Sequence, residues 1–398
     1  MPTCKMAPTT INNLPLDVLS RILIRFRAKP LARMRCVSKP WNSLLSQPAF
    51  IKSHLHRSIQ NNQEILMVFA IGFPFDHQQS PFTTAHLSKF PHLVIPNFIQ
   101  IPVVDPNLSE WSTCYHIHGS VNGLICLSYK RIDEPVIQIW NPSLSAMLTL
   151  PPYANPFGST DKNFIQFGFG FDPKTDDYKI IKFMIPKPMI FLCLFNGLSL
   201  DFDDNLPSEK IQVEIYKSVH GNQWFPPNVT RIDDRDEMAM MGTFIGLVIL
   251  MSVGSKKAIV AFDLGDETFS EICLPVDNLD RQNTLGILGG KLCVMSCVED
   301  HDCQVWVMNE YRVVESWTKN HAFSQFSFEV APYGFTLNNE FLCEPSAGYN
   351  RRLALYDPSE AKVKYFKFAG RLLSNVKVVE YVDSLVWTAP RGSASRKD

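Results

Sequence analysis

The stretch IVAFDLGDETFSEICLP, residues 259–275, contains two runs of strand-forming residues separated by a polar turn. The first run, IVAF, ends at Asp263-Leu264, and Phe269 lies in the second run. Apolar and aromatic runs bounded by Asp and Gly are typical of antiparallel strands joined by a tight connection. The stretch therefore predicts a β-hairpin rather than a helix.

The same pattern recurs along the chain. Each copy has a four-residue apolar run, followed about eight to ten residues later by an aromatic residue or Leu-Pro, and the runs start at spacings of about 76, 46, 46 and 48 residues. A Pro- and Asp-rich stretch, residues 184–210, accounts for the long first spacing. The runs are IQIW (137–140), VEIY (213–216), IVAF (259–262), VWVM (305–308) and LALY (353–356).

An all-β repeat of this length is typical of one propeller blade, because a four-stranded sheet needs a neighbour on each face. Several repeats also contain a glycine-led strand, as in GLICL (123–127), GLVIL (246–250) and GKLCV (290–294). We predict about six blades, with residues 65–70 and 378–387 sharing the closing one. A stack of β-sandwiches remains an alternative.

Residues 14–60 follow a helical pattern instead. Pro40 predicts that one helix ends near Val37 or Ser38 and another begins at the proline, and residues 49–60 predict a further short helix. The apolar side chains that recur at spacings of three and four are Leu14, Val18, Leu19, Ile22, Leu23, Phe26, Leu31, Met34, Val37, Trp41, Leu44 and Leu45. A module this small has too little interior to bury all of them, so we expect a partner to share them.

Charge separates the two regions. Residues 1–60 hold ten Lys or Arg against the single acid Asp17, while the whole chain has a formal net charge of −1. The N-terminal module should therefore attract an acidic partner, and the rest of the chain carries an acidic excess. Nucleic-acid binding is disfavoured, since the aromatic residues near the basic segment belong to the apolar pattern.

Two acidic tracts, residues 201–204 and 233–237, fall in predicted loops. A solvated loop explains such tracts most simply, and the functional alternative is an acidic rim that contacts a basic substrate. The candidate substrate-binding residues are Asp201, Asp203, Asp204, Asp233, Asp234 and Asp236.

The sequence indicates no catalytic, cofactor or metal site. It has no GxSxG, HExxH or phosphate-binding glycine loop, and the spacing of Cys293, Cys297, His301 and Cys303 matches no standard zinc site. We interpret the ten cysteines as reduced, buried thiols of a cytoplasmic or nuclear protein. The sequence predicts neither a signal peptide nor a membrane anchor.

Residues 14–56, LPLDVLSRILIRFRAKPLARMRCVSKPWNSLLSQPAFIKSHLH, strongly resemble the F-box. GSVNGLICL (119–127), IWNPS (139–143) and FGFGFDPKTDDYKIIK (167–182) are similar to the plant F-box-associated domain. The resemblance implies docking on a Skp adaptor, which agrees with the charge pattern. The expected docking residues are Leu14, Pro15, Leu19, Ile22, Leu23, Leu31, Val37 and Trp41.

The expected architecture is an α+β multidomain chain. It comprises a disordered N-terminus (1–12), a small helical F-box module (13–60), an all-β propeller-like domain of about six blades (64–388) and a disordered tail (389–398). The resemblance implies a non-catalytic substrate receptor of a Skp–cullin–F-box ubiquitin ligase, which reaches the cullin and RING subunits through Skp and binds a protein substrate. Alternatives are a pollen S-locus F-box role directed at ribonucleases, a scaffold outside the ligase, and a propeller enzyme.

Overall fold

The computed structural model describes residues 14–61, 64–70, 82–86, 97–98, 115–131, 134–151, 163–186, 212–219, 223–231, 238–239, 248–253, 256–275, 282–297, 302–326, 329–336, 338–347, 350–351, 353–365 and 376–388. The predicted disordered ends, residues 1–12 and 389–398, lie outside this set, as do both acidic tracts.

The N-terminal module consists of short helices: α1 (Leu16–Leu23), α2 (Ala28–Met34), α3 (Lys39–Leu45) and α4 (Pro48–Gln60). The predicted break before Pro40 is present, although α2 already ends at Met34 and α3 begins one residue before the proline. Ser38 is extended and its hydroxyl accepts the Trp41 N–H at 3.3 Å, so it caps α3. Pro40 then occupies the first turn, where its missing N–H leaves no helical bond unmade.

The remaining described chain is almost entirely antiparallel β-strand. The first fifteen strands are β1 (Glu64–Ala70), β2 (Phe82–His86), β3 (Asn97–Phe98), β4 (Tyr115–Val121), β5 (Leu124–Arg131), β6 (Glu134–Asn141), β7 (Ala146–Thr149), β8 (Asn163–Asp172), β9 (Asp177–Pro186), β10 (Gln212–Val219), β11 (Gln223–Arg231), β12 (Met238–Ala239), β13 (Val248–Val253), β14 (Lys256–Asp263) and β15 (Thr268–Cys273).

The later strands continue the same up-and-down order. They are β16 (Gln282–Leu288), β17 (Lys291–Cys297), β18 (Cys303–Met308), β19 (Trp317–Phe323), β20 (Glu329–Phe335), β21 (Phe341–Ala347), β22 (Asn350–Arg351), β23 (Ala354–Asp357), β24 (Lys362–Tyr365) and β25 (Val376–Val382).

Within the described residues these strands form six separate sheets, which we number as blades 1 to 6. Blade 1 has the order β25-β1-β2-β3, and blades 2 to 5 are β4 to β7, β8 to β11, β12 to β15 and β16 to β19. Blade 6 has the order β20-β21-β23-β24, with β22 paired to β21. Since β4 contacts both β25 and β8, and β16 contacts β20, the first strands of successive blades lie side by side. The prediction of a propeller with about six blades is confirmed, and the stacked sandwiches are excluded.

The sequence repeat corresponds to the blades. IQIW, VEIY, IVAF and VWVM lie in β6, β10, β14 and β18, the third strands of blades 2 to 5, and LALY overlaps the third strand of blade 6. The glycine-led runs fall on second strands. The predicted closure is also present, because β1 pairs with β25 from Glu64↔Val382 to Ala70↔Val376.

The hydrophobic core of the propeller lies between blades. Phe167 and Phe169 of blade 3 pack against Leu124 and Ile139 of blade 2. Similar clusters join blades 1 and 2, blades 4 and 5, and blades 5 and 6. Each sheet therefore covers its apolar faces with its neighbours, which is the physical reason that the repeat predicts a propeller.

The helical module lies on one side of the propeller, which we call the helix side. It contacts Leu144 in the β6–β7 turn, Asp176 in the β8–β9 turn, and Asp383 and Leu385 just after β25. In antiparallel sheets, connections between first and second strands, and between third and fourth strands, lie at the same end. The connections between second and third strands, and those between blades, lie at the opposite end, which we call the far side.

Candidate partner-docking site

Helix α1 presents apolar side chains on two faces. Leu19 and Leu23 are buried in the core of the helical module, whereas Val18 and Ile22, on the opposite face, are 38% and 44% exposed. Leu16 lies in line with Leu19 and Leu23 but at the first residue of α1, and it is 61% exposed. A helix that is apolar on both faces normally has something covering each of them. Nothing within the described chain covers the outer face of α1.

Two further apolar residues of the helical module are exposed. Phe26 follows α1 and is 44% exposed, and Val37 precedes α3 and is 71% exposed. We call the set Leu16, Val18, Ile22, Phe26 and Val37 the docking surface. Monomeric proteins rarely leave a cluster of large apolar side chains in water, so such a cluster indicates an interaction site.

The eight predicted docking residues differ in their exposure. Leu19, Leu23 and Leu31 are buried and can support the docking surface only from beneath. Pro15, Ile22 and Val37 are exposed, and Leu14 and Trp41 are partly exposed. Trp41 packs against the edge of the module's core.

Sequence reasoning placed Leu16, Val18 and Phe26 outside the predicted docking set, although they are exposed. Helical spacing alone shows that α1 has two apolar faces, but it does not show which face turns inward. That choice depends on α2, α3 and α4, whose Leu31, Leu44, Leu45 and Phe50 form the opposing core.

The segment that carries the docking surface is also basic. Its exposed basic residues are Arg21, Arg25, Arg27, Lys29, Arg33 and Lys39. Arg35 has a structural role, because its guanidinium donates to the Leu45 carbonyl at 2.8 Å and so ties the end of α2 to α3. The segment thus combines exposed apolar side chains with exposed basic ones, which suits an acidic partner.

The predicted acidic substrate-binding residues lie outside the described residues, but the strand ends that flank them are described. Residues 201–204 belong to the connection from Pro186 at the end of β9 to Gln212 at the start of β10. Residues 233–236 belong to the connection from Arg231 at the end of β11 to Met238. Both pairs of strand ends lie on the far side.

The prediction that all ten cysteines are reduced and buried is wrong for four of them. Cys297 and Cys303, opposite one another on β17 and β18, form a disulfide rather than two reduced thiols, and Cys36 and Cys273 are free but exposed rather than buried. Cross-strand neighbours of this kind place two Cβ atoms close enough for a bond. Cys126, Cys293 and Cys343 are buried as expected, and burial raises the pKa of each thiol.

Of the two histidines of β4, His116 and His118, the second has partners within the protein. The His118 ring nitrogen Nε2 lies 2.8 Å from the Ser128 hydroxyl, and its ring packs edge-on against Phe167. Within the part of the chain that the structure describes, no three His, Cys, Asp or Glu side chains are grouped as metal ligands would be. Among the described helices, none is long and apolar enough to span a bilayer.

Comparison with known families matches both regions. The model of the F-box domain matches residues 11–53, and the model of the F-box associated beta propeller domain matches residues 100–375.

Curated relatives from Arabidopsis thaliana cover most of the chain. F-box protein CPR1 is 29% identical over 333 residues, which are 77% of this chain and 72% of the relative. An F-box/kelch-repeat protein is 25% identical over 369 residues, which are 89% of this chain and 90% of the relative.

Solved structures with a similar backbone are more distant. The Hadza microbial sialidase Hz136 has 12% identity and a TM-score of 0.42, covering 69% of this chain and 64% of that one. The Aleuria aurantia lectin has 10% identity and a TM-score of 0.35, covering 72% and 98%.

Proposed function

Since this chain belongs to the F-box proteins that carry an F-box-associated β-propeller domain, we propose that it is the substrate-recognition subunit of a Skp–cullin–F-box ubiquitin ligase. The observation that carries the proposal is the docking surface on the F-box module. Its large apolar side chains are exposed in the free chain, and a Skp-type adaptor would cover them. We also assign the exposed Pro15 and the partly exposed Leu14 and Trp41 to the adaptor contact.

Charge supports the same partner. The exposed basic residues of the segment that carries the docking surface would attract an acidic adaptor over several ångströms, within the screening distance set by physiological salt. They would raise the association rate more than the final affinity, because exposed ion pairs each contribute little. Affinity would come mainly from the buried apolar contacts.

The proposed mechanism is positional. The receptor would hold a protein substrate beside a ubiquitin-loaded conjugating enzyme that the cullin and RING subunits deliver, raising the effective concentration of a substrate lysine. The receptor itself would supply no reacting group. Such a ligase would act in the cytoplasm or nucleus.

We place substrate binding on the far side of the propeller. The helix side is partly occupied by the F-box module, whereas the strand ends flanking both acidic tracts lie on the far side. Asp201, Asp203, Asp204, Asp233, Asp234 and Asp236 would then form an acidic rim that favours a basic substrate. Basic ribonucleases, the targets that the alternative pollen S-locus role implies, are one such class.

A matched pair of isoleucines tests adaptor docking. Ile22 in α1 is 44% exposed and Ile287 in blade 5 is 49% exposed. Ile22→Glu should weaken adaptor binding by roughly tenfold or more, since it buries an unpaired carboxylate in an apolar contact. Ile287→Glu should leave binding unchanged. The measurement is calorimetric titration of the full-length chain with a purified Skp adaptor.

The titration separates a specific adaptor contact from a general effect of adding a charge. Equal affinities for the two variants, or no binding by the unmodified chain, would contradict the proposal. Co-purification of cullin with the bound adaptor would then distinguish a ligase subunit from a scaffold outside the ligase.

A further inference from the structure

The six residues after β25, 383–388, connect the propeller to the F-box module. Leu385 is fully buried, and it lies in the same apolar cluster as Leu19, Leu23 and Leu31 of the module. A residue more than three hundred positions away along the chain thus completes the core of the helical module. Leu144 from the β6–β7 turn packs against the same cluster.

Asp383 makes the polar part of this connection. One carboxylate oxygen, Oδ2, accepts the backbone N–H of Ala28 at 2.6 Å, at the first residue of α2. The other, Oδ1, accepts the Ser143 hydroxyl, whose oxygen also lies 2.6 Å from the Tyr381 hydroxyl. A single carboxylate therefore links the F-box module to blades 1 and 2.

The segment is itself held rigidly by the propeller. The Asn141 side-chain amide donates to the carbonyls of Ser384 and Val386 at 3.1 and 2.7 Å, and Asn141 is fully buried. Gly123, at a φ of +80°, packs so closely that a Cβ there would lie 2.3 Å from the Ser384 Cβ. Neither neighbour leaves room for residues 383–386 to shift.

By contrast, the outlying contact between module and propeller is weak. Lys52 of α4 and Asp176 of the β8–β9 turn form a 2.7 Å ion pair, but both side chains are more than half exposed. Exposed pairs of this kind add little to stability. The strongest contacts between module and propeller are therefore the part-buried hydrogen bonds of Asp383 and the apolar packing of Leu385 and Leu144.

We propose that residues 383–386 are a clamp that fixes the orientation of the F-box module relative to the propeller. Given the proposed function, on which this second part depends, Asp383 and Leu385 are positioning residues for ubiquitin transfer. They touch neither adaptor nor substrate, but they set where bound substrate lies relative to the conjugating enzyme. A looser clamp would lower the effective concentration of the acceptor lysine without changing either binding step.

Two native cysteines allow the clamp to be tested directly. Cys36 in the F-box module and Cys273 in blade 4 are free and exposed, whereas Cys126, Cys293 and Cys343 are buried. Spin labels on Cys36 and Cys273 of the full chain, with Cys4, Cys114 and Cys193 replaced by Ser, report the distance between module and propeller by pulsed electron paramagnetic resonance.

With the clamp residues unchanged, the distances between the spin labels on Cys36 and Cys273 should form one narrow distribution. Asp383→Ala and Leu385→Ala should each broaden it, whereas Asp383→Asn should keep it narrow, because the amide oxygen still accepts the Ala28 N–H. Asp357→Ala and Leu355→Ala are matched controls, since they make the same chemical changes in blade 6, and they should not broaden it. An unchanged distribution in both clamp variants would overturn the clamp.

The positioning role has a separate readout. In a reconstituted ligase, the chain's own propeller lysines serve as acceptors, and mass spectrometry maps which are modified. Asp383→Ala should spread modification over more lysines and slow it severalfold, with adaptor affinity unchanged. An unaltered lysine pattern and rate would overturn the positioning role. If the unmodified chain does not bind a Skp adaptor, the proposed function fails, while the distance measurement still decides the clamp.

Discussion

The F-box module and the interfaces between blades use their apolar residues in opposite ways. Between blades 5 and 6, the buried rings of Phe323 and Tyr356 stack, and the buried ring of Phe341 packs at a tilt against both. On the F-box module, Leu16, Ile22 and Val37 are of similar character but exposed. The apolar residues of the blades pack against neighbouring blades of the same chain. The F-box module buries only some of its apolar residues in this way and leaves the others exposed. The same apolar pattern therefore indicates stability in one region and recognition in the other.

The interface between blades 5 and 6 should be the most sensitive to truncation. Phe341 is buried and contacts the rings of His321, Phe335 and Tyr356. Phe341→Ala should lower the free energy of unfolding by about 3 to 5 kcal/mol, because it removes a large buried side chain and leaves a cavity. Urea denaturation measures this change.

Tyr311→Ala is the control, since Tyr311 is 55% exposed, and it should change stability by less than about 0.5 kcal/mol. Similar losses for the two variants would show that the buried interface does not stabilise the propeller as described.

Two leucines of α1, one buried and one exposed, allow the same contrast between core and surface to be measured within one helix. Leu19→Ala should cost about 2 to 5 kcal/mol of unfolding free energy, because Leu19 is buried. Leu16→Ala should change stability by less than about 0.5 kcal/mol and yet weaken adaptor binding measurably. Thermal unfolding and adaptor titration of the same two proteins check both statements. Equal destabilisation of the free chain by Leu16→Ala and Leu19→Ala would contradict the assignment of Leu19 to the core and Leu16 to the exposed surface.

The smallest expected effect concerns the charged contacts between blades 3 and 4. Glu267 lies 2.9 Å from the Lys179 ammonium and 2.6 Å from that of Lys217. Burial alone would raise the pKa of Glu267, but hydrogen bonds and charge from these lysines outweigh it and hold the pKa below the usual 4.5. A depressed carboxyl pKa stabilises the folded state above the unfolded-state value, and that contribution is lost as the pH falls through the folded-state value.

Stability should therefore decline as the pH falls below about 4.5, and Glu267→Gln should make that decline smaller. Glu315→Gln, at an exposed carboxylate, should leave the pH dependence unchanged. The urea midpoint measured across acidic pH tests this. Identical pH profiles for Glu267→Gln and the unmodified chain would argue against the ion pairs.

Much of the fold could be predicted because it depends on repetition. Each apolar run such as IVAF or VWVM lies on the third strand of a blade, so spacing alone indicates the architecture and the shared closing blade. The helices of the F-box module were also predictable, to within a few residues at Pro40, because periodicity and proline geometry act locally.

The docking surface was predictable only in part. Of the predicted docking residues, Ile22 and Val37 are exposed, whereas Leu19, Leu23 and Leu31 are core; Leu16 and Phe26, which the prediction left out, are exposed. Which face of α1 turns inward depends on long-range packing, including Leu385 from the far end of the chain. The Cys297–Cys303 bond likewise depends on strand register, since Cys297 and Cys303 face each other only once β17 and β18 pair.

The pairing of β1 with β25 has a consequence for synthesis on the ribosome. The F-box module is made before the propeller, whereas β25, which closes blade 1, and Leu385, which completes the module's core, follow it by more than three hundred residues. A chain interrupted anywhere before β25 would lack both at once. Only a polypeptide extended through Leu385 can thus complete the core of its F-box module.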